Sequence, residues 1–242
     1  MNAPVEPVWE KFAIGQPVRR KEDPVLLRGE GRYTDDIALP GHARAVLVRS
    51  PYAHGLLRGM DTEAARAMPG VLGIYTAADL AAAGIGAMPF GLTNPKNSDG
   101  SDAARPHQSA LATDRVRYVG DPIALVVAET LSQARDAAES LMPDIDPLPA
   151  VTSAAAAVAP GAPQLYDGVP GNVAFDFHSG DRAAVAAAFA GAAHVTRLEL
   201  DNSRIVVCPM EPRSATAEFD PAEDRWTLRV GSQGVFGLRG TV

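Results

Sequence analysis

The sequence predicts an α+β fold, because strand-like and helix-like patterns alternate along most of its length. The clearest unit is "DRVRYVGDPIALVVAETLSQARDAAESL" (114–141), which predicts a strand, a turn, a second strand and a helix. A segment rich in Ala, Pro and Gly (147–171) interrupts the pattern, and strand signals resume after it. The chain is therefore predicted to contain two folded regions joined by a linker that lies over the surface.

The first region contains two more strands and two short helices. "ARAVLVRS" (43–50) and "VLGIYT" (71–76) are short runs rich in β-branched and aromatic residues, so both predict strands. "DTEAARAMPG" (61–70) begins with an aspartate suited to helix capping and ends at Pro-Gly. "AADLAAAG" (77–84) predicts a helical turn that Gly84 closes in the left-handed conformation.

The strand "IALVVA" (123–128) is continuously apolar, which predicts burial on both faces. In the helix that follows it, four apolar residues recur at spacings of three and four and predict one buried stripe: Leu131, Ala134, Ala138 and Leu141. Pro143 lacks the N–H that a central strand would donate, so "LMPDIDPLPAV" (141–151) is expected to form an edge strand or a bulge.

The two ends of the chain give different structural predictions. Residues 1–26 are charged and rich in turn formers, and they predict an extended arm. The second region begins near residue 172, where the sequence predicts a helix, two strands and a β-hairpin that turns at residues 220–224. The segments are "GDRAAVAAAFAGA" (180–192), "AHVTRLELDNS" (193–203), "IVVCPMEP" (205–212) and "SATAEFDPAEDRWTLRVGSQ" (214–233).

Composition excludes several classes of protein. The formal net charge is -7 and the only basic cluster, residues 19–21, is followed at once by two acids, which argues against a nucleic-acid-binding protein. No stretch approaches the roughly 20 apolar residues of a membrane-spanning helix, and the first residues do not resemble a signal peptide. With a single cysteine, these features indicate a cytoplasmic protein.

Few residues stand out as chemical candidates. The five histidines have no metal-ligand spacing, so structural roles are expected, and Cys208 is expected to be a small buried hydrophobe in a strand. Glu211 and Arg213 are interpreted as an ion pair that fixes the entry to the second region, with any further role left open. Gln233 could bind a ligand oxygen without changing the local charge, although on the residue alone a surface glutamine is favoured.

Several of these segments resemble, in the same order, the molybdenum-binding large subunit of the xanthine dehydrogenase family, which includes aldehyde oxidases and aerobic carbon monoxide dehydrogenases. The segments are "IGQPVRRKEDPVLLRGEGRYTDDI", "VLVRSPYAHGLL", "MPGVLGIYTAADL", "RVRYVGDPIALVVAET", "VVCPMEPRSATAEFD" and "GSQGVFGLR". The resemblance implies an α/β hammerhead domain at residues 27–146 and the beginning of a molybdopterin-binding domain, truncated, at residues 172–242.

The resemblance also implies a cofactor and partners. The glutamine of the family's Ser-Gln-Gly motif matches Gln233 and would bind the cofactor by a hydrogen bond to an oxo ligand of molybdenum. The cofactor would be molybdopterin in its cytosine dinucleotide form. An iron–sulfur small subunit and an FAD-binding medium subunit would accept the electrons, within a dimer of heterotrimers. The glutamate that acts as general base in the family would lie beyond Val242.

Two functions are therefore expected. In the first, the chain is part of a molybdenum hydroxylase that oxidises an aldehyde, an N-heterocycle or carbon monoxide with oxygen from water, and is inactive by itself. In the alternative, it is a non-catalytic assembly or docking module of such a complex, because these 242 residues contain no evident base, nucleophile or complete metal site.

Overall fold

The computed structural model describes residues 19–89, 96–202, 205–209 and 211–242. The chain divides into two compact units. The smaller unit combines Met1–Leu39 with Arg204–Val235, and the larger unit combines Pro40–Ser203 with Phe236–Val242. The domain boundaries drawn from the sequence, at residues 27, 147 and 172, stay predictions.

The larger unit contains a three-stranded antiparallel sheet. Its strands are β1 (Arg44–Arg49), β5 (Pro122–Ala128) and β3 (Val71–Thr76), in the order β1-β5-β3. Four side chains of β5 are buried, as the continuous apolar run predicts, and Val126 is fully enclosed. The sheet and helix α4 (Leu131–Ser140) enclose the main core of this unit.

A second antiparallel sheet consists of β4 (Arg115–Val116), β2 (Gly55–Gly59) and β6 (Asp144–Pro147), in the order β4-β2-β6. The predicted edge position of β6 is confirmed, because β6 pairs with β2 alone. At this edge the residue before the strand, Pro143, costs no ladder hydrogen bond.

The helices of the larger unit include α2 (Glu63–Arg66) and α3 (Ala77–Ala82). The helix predicted at 61–70 is shorter than expected, because α2 ends at Arg66, before Pro-Gly, and its N-cap residue is Thr62 instead of Asp61. Beyond the end of α3, Gly84 is left-handed as predicted, with a φ of 75°. Thr130 caps α4 by accepting a hydrogen bond from the backbone N–H of Gln133. The predicted stripe of α4 is wrong in one member, because Leu131 in the first turn is 42% exposed.

The Ala/Pro/Gly-rich segment contains its own local structure. Ser153 caps the one-turn helix α5 (Ala154–Ala157), and a 3-10 helix follows at Pro170–Asn172. The segment also contacts β4 and the residues after it, because the Arg117 guanidinium donates a hydrogen bond to the carbonyl of Leu165 at 2.9 Å. Its path over the surface is therefore held by specific contacts.

The smaller unit contains α1 (Asp23–Leu27), a 3-10 helix (Thr34–Asp36) and the predicted hairpin, formed by β7 (Ala215–Asp220) and β8 (Arg225–Val230). The prediction of an extended arm is wrong at α1, where Pro24 occupies the first turn and costs no hydrogen bond. Residues 1–18 of that arm lie outside the described residues. The hairpin is in register from end to end.

Two strand predictions are wrong. The helix α6 (Arg182–Gly191) forms as expected, but the described residues of 193–203 and 205–212 contain no strand. Ile205, Val206 and Val207 are 80–85% exposed. A strand needs a neighbouring ladder for its backbone N–H and C=O groups, and no strand in the described part of the chain pairs with these segments. The last helix is α7 (Val235–Arg239).

In the part of the chain that the structure describes, no helix is both long enough and apolar enough to cross a membrane.

Candidate functional site

Gln233 lies in the short loop between β8 and α7. Its side chain is exposed and makes no hydrogen bond with any residue that the structure describes. The neighbouring backbone is ordered, because the N–H of Gly234 donates a hydrogen bond to Ser232 Oγ at 3.0 Å. The loop therefore presents an amide with two free donors and a free acceptor.

The backbone beside this amide is open on the side where a side chain would stand. A Cβ added to Gly234 would meet no heavy atom within 4 Å. A ligand could therefore approach the main chain at Gly234 closely, which a larger residue would prevent.

Glu211 lies at the base of this loop. Its Oε1 accepts two long hydrogen bonds from Thr34, from the backbone N–H at 3.5 Å and from Oγ1 at 3.4 Å. The carboxylate also faces Gly231, where an added Cβ would lie 3.6 Å from Oε1. Sequence analysis missed this contact, because nothing in the local pattern connects residues 177 positions apart.

The predicted ion pair between Glu211 and Arg213 is wrong. No salt bridge joins these side chains, although both lie in described residues. Arg213 is exposed while Glu211 is half-buried, so the two side chains turn to different environments. Glu211 uses the neutral donors of Thr34 instead of a cation.

Cys208 is also placed differently from the prediction. It is exposed and lies outside any strand, because the segment 205–209 has no ladder partner. His54 has a structural role as expected: it is buried, and its Nδ1 lies 2.8 Å from the carbonyl oxygen of Pro149. Among the described residues, no three His, Cys, Asp or Glu side chains are grouped to hold a metal ion.

The larger unit contains a polar cleft that the sequence did not reveal. Its volume is about 470 Å³, and its lining includes Tyr118, Asp121 and Tyr166. Partial burial, with the nearby Asp121 carboxylate, raises the pKa of the Tyr118 hydroxyl above its usual value. Arg117 lies 4.4 Å from the centre of the Tyr166 ring, in cation–π contact. The predicted turn at Gly120 is confirmed and forms one wall.

The Gln233 loop fits one part of a molybdopterin site. A neutral amide without an internal partner can donate a hydrogen bond to the cofactor without adding a charge, and the open backbone at Gly234 leaves room for it. A whole pterin needs many more polar contacts than one side chain supplies. Among the described residues, the Gln233 loop is therefore compatible with one hydrogen bond to such a cofactor.

Two segments of the chain match known domain families. Residues 28–148, half of the 242-residue chain, match the domain "Aldehyde oxidase and xanthine dehydrogenase, a/b hammerhead domain". Residues 165–242 match the "Molybdopterin cofactor-binding domain". The predicted α+β class and the order of the two domains are confirmed.

The relatives are large subunits of oxidoreductases. The chain is 37% identical over 94% of its length to the nicotine 6-hydroxylase large subunit of Paenarthrobacter nicotinovorans, of which it covers 27%. It is 33% identical over its whole length to the carbon monoxide dehydrogenase large chain of Hydrogenophaga pseudoflava, of which it covers 31%.

A solved structure matches in three dimensions as well. The reconstituted CO dehydrogenase from Oligotropha carboxidovorans superposes with a TM-score of 0.77 and 30% identity, covering 94% of this chain and 28% of the other. The chain thus spans about a third or less of the proteins that it matches. On the match of its hammerhead domain, the chain belongs to the aldehyde oxidase and xanthine dehydrogenase family.

Proposed function

We propose that this chain forms the first part of the large subunit of a molybdenum hydroxylase, and that Gln233 contacts the molybdopterin cofactor. The observation that carries the proposal is the free, exposed Gln233 amide between Ser232 and Gly234, inside the region that matches a molybdopterin cofactor-binding domain. When bound, the cofactor would supply the transfer of oxygen and electrons between water and a small carbon substrate.

The chain's own residues would hold and orient the cofactor. The side-chain amide of Gln233 would donate one hydrogen bond to it. The hydrogen bond from the Gly234 N–H to Ser232 Oγ would hold the backbone that carries this side chain. A neutral donor stabilises developing negative charge without introducing a charge of its own. The general base would come from a part of the subunit that these 242 residues do not include.

The substrate and the partners belong to the same proposal. The relatives include a nicotine 6-hydroxylase and carbon monoxide dehydrogenases, so an aldehyde, an N-heterocycle and carbon monoxide all fit the family. The electrons would pass to an iron–sulfur small subunit and an FAD-binding medium subunit, with molybdopterin as its cytosine dinucleotide. One relative is a subunit of a dehydrogenase complex, which supports an assembly of this kind.

The alternative is a docking module without catalysis. It is favoured by the short span of the chain, which covers about a third or less of the proteins that it matches. The two functions differ in whether molybdenum accompanies the chain in its natural complex.

The test is a native purification through an affinity tag at residue 1, followed by measurement of molybdenum, iron and flavin per chain. About one molybdenum per chain, together with iron and flavin, would support the hydroxylase. Protein without molybdenum would overturn it and leave the docking module.

In a complex that contains molybdenum, Gln233→Ala is expected to lower kcat/KM by roughly 10–100-fold, the range for losing one partner of a metal site. Gln164→Ala is the glutamine control and should leave kcat/KM unchanged, because Gln164 is an exposed glutamine outside both matched domains. An unaltered kcat/KM and molybdenum content in Gln233→Ala would remove Gln233 from the site.

A further inference from the structure

The contacts of Glu211 reach two separate parts of the smaller unit. On one side, its Oε1 accepts hydrogen bonds from Thr34, at 3.5 Å from the backbone N–H and 3.4 Å from the hydroxyl. On the other side, its carboxylate faces the backbone of Gly231, which lies two residues before Gln233. Glu211 thus lies between the segment around Thr34 and the end of the strand that leads to Gln233.

The Thr34 side of this contact is held in place by its own hydrogen bonds. The Tyr33 backbone N–H donates to Asp36 Oδ2 at 2.9 Å, and the Asp36 N–H donates to the Tyr33 carbonyl at 3.1 Å. The short 3-10 helix that contains Thr34 also contacts β7. The donors that Glu211 uses are therefore preorganised.

The Gly231 side is equally constrained. The hairpin register pairs Ala215 with Val230, so the residues just outside this pair, Ser214 and Gly231, meet at the same end of the hairpin. An added Cβ at Gly231 would lie 3.6–3.9 Å from the three carboxylate atoms of Glu211. These are ordinary van der Waals distances, so the Glu211 carboxylate lies directly beside position 231.

Charge pairing does not explain the position of Glu211. No Lys or Arg side chain forms a salt bridge with it within the described ranges, and the nearby Arg213 is exposed. A half-buried carboxylate with only neutral donors must be held by hydrogen bonds and packing. Glu211 therefore has the position of a side chain that determines where Gly231, the residue after β8, lies.

We propose that Glu211 is a positioning residue for Gln233. It holds the backbone of Gly231 at a set distance from Thr34, and through Gly231 and Ser232 it orients the Gln233 amide. This inference rests on the proposed contact between Gln233 and the cofactor. Glu211 itself touches neither cofactor nor substrate.

The test is a double-mutant cycle in the natively purified complex, with Glu211→Ala, Gln233→Ala and the double variant. Glu211→Ala is expected to lower kcat/KM about tenfold when Gln233 is present, and less than about twofold when Gln233 is already alanine, because coupled residues are not additive. Glu211→Gln keeps an acceptor oxygen for Thr34 and should restore most of the activity.

Two further measurements separate positioning from simple stabilisation. The electron paramagnetic resonance signal of the reduced complex should shift in the same direction in Glu211→Ala and in Gln233→Ala. Glu218→Ala is the matched carboxylate control: Glu218 lies on the same hairpin but pairs with Arg229 at 3.0 Å, so it should alter neither kcat/KM nor the signal.

The outcomes are distinct. Equal losses from Glu211→Ala in both backgrounds, with an unshifted signal, would overturn the inference and leave a structural contact. No effect of Gln233→Ala would instead overturn the proposed function. If the complex with Glu211→Ala does not assemble, Thr34→Val is the substitute variant, because it removes one of the two hydrogen-bond donors to Glu211. It should lower kcat/KM about threefold only when Gln233 is present. An equal loss in both backgrounds would again overturn the inference.

Discussion

At the scale of single residues, Gly55 in β2 shows how closely the second sheet is packed. A Cβ added there would lie 2.5 Å from Ile145 Cγ2 and 3.0 Å from the carbonyl oxygen of Asp146, both on β6. Gly55→Ala must therefore push the two strands apart, and we expect the free energy of unfolding to fall by about 1–3 kcal/mol. Urea denaturation of the purified chain measures this loss.

Gly59 provides the matched control for Gly55, because it ends the same strand and an added Cβ there meets nothing within 4 Å. Gly59→Ala should change the free energy of unfolding by less than about 1 kcal/mol, in the stabilising direction. A loss of the same size in both variants would show that glycine flexibility, and not the contact with β6, determines the effect.

At the scale of elements, the start of α3 is stabilised by a pH-dependent cap. The Asp79 carboxylate accepts hydrogen bonds from the backbone N–H of Thr76 at 2.7 Å and from its hydroxyl at 2.8 Å. These bonds, the backbone one first, lower the pKa of Asp79 below its ordinary value of 3.8. The folded state therefore gains stability from the cap above pH 3.8, and loses it as the pH falls through the lower folded-state pKa.

Asp79→Asn is accordingly expected to lower the thermal midpoint at pH 7, and this difference from the unaltered chain should shrink below about pH 4. Thr76→Val removes only the hydroxyl donor, so it should show the same trend with a smaller difference. Thermal denaturation at pH 7, 5 and 3 measures both variants. A difference that grows as the pH falls would contradict the assigned role of the carboxylate.

At the scale of the whole molecule, the larger unit extends beyond the hammerhead match that ends at residue 148. The backbone N–H of Ala104 donates to the carbonyl of Ala174 at 2.8 Å, and that of Asp176 donates to Asn97 Oδ1 at 2.9 Å. Arg117 adds its hydrogen bond to Leu165. Residues 149–176 therefore contribute to the fold of this unit.

A fragment of residues 28–179 should be more stable than a fragment of residues 28–148 by about 2–4 kcal/mol, since each of these hydrogen bonds contributes roughly 1 kcal/mol. Urea denaturation of both fragments, with the same observable, measures the difference. Equal free energies of unfolding would mean that the segment after residue 148 only follows the surface, as the sequence alone suggests.

The accuracy of the sequence predictions depends on how local each feature is. β5, α4 and the hairpin form where the sequence predicted them, because their signals lie within the elements themselves. These signals are an apolar run, apolar residues at spacings of three and four, and a turn at residues 220–224. The strand predicted at 205–212 was wrong, although its side chains suit a strand, because a strand also needs a neighbour that the local pattern does not contain.

The candidate site divides in the same way. The sequence showed a glutamine between a serine and a glycine, and the resemblance to a known family identified Gln233 as the candidate residue. Its exposure agrees with the surface position that the residue type favours, while its lack of a hydrogen-bond partner among the described residues is visible only in the structure. The polar cleft at Tyr118 and Tyr166 is likewise formed by residues far apart in the chain, so no local sequence pattern predicts it.

The sequence by itself determined the α+β class, the order of the two domains, the longer helices and the family. Each of these depends on side chains within a few positions of one another or on motifs read in order. Only the tertiary structure decided that Glu211 contacts Thr34, 177 positions away, instead of Arg213. The physical reason is that a half-buried carboxylate takes whichever donors the packed backbone brings beside it, and packing is a property of the whole chain.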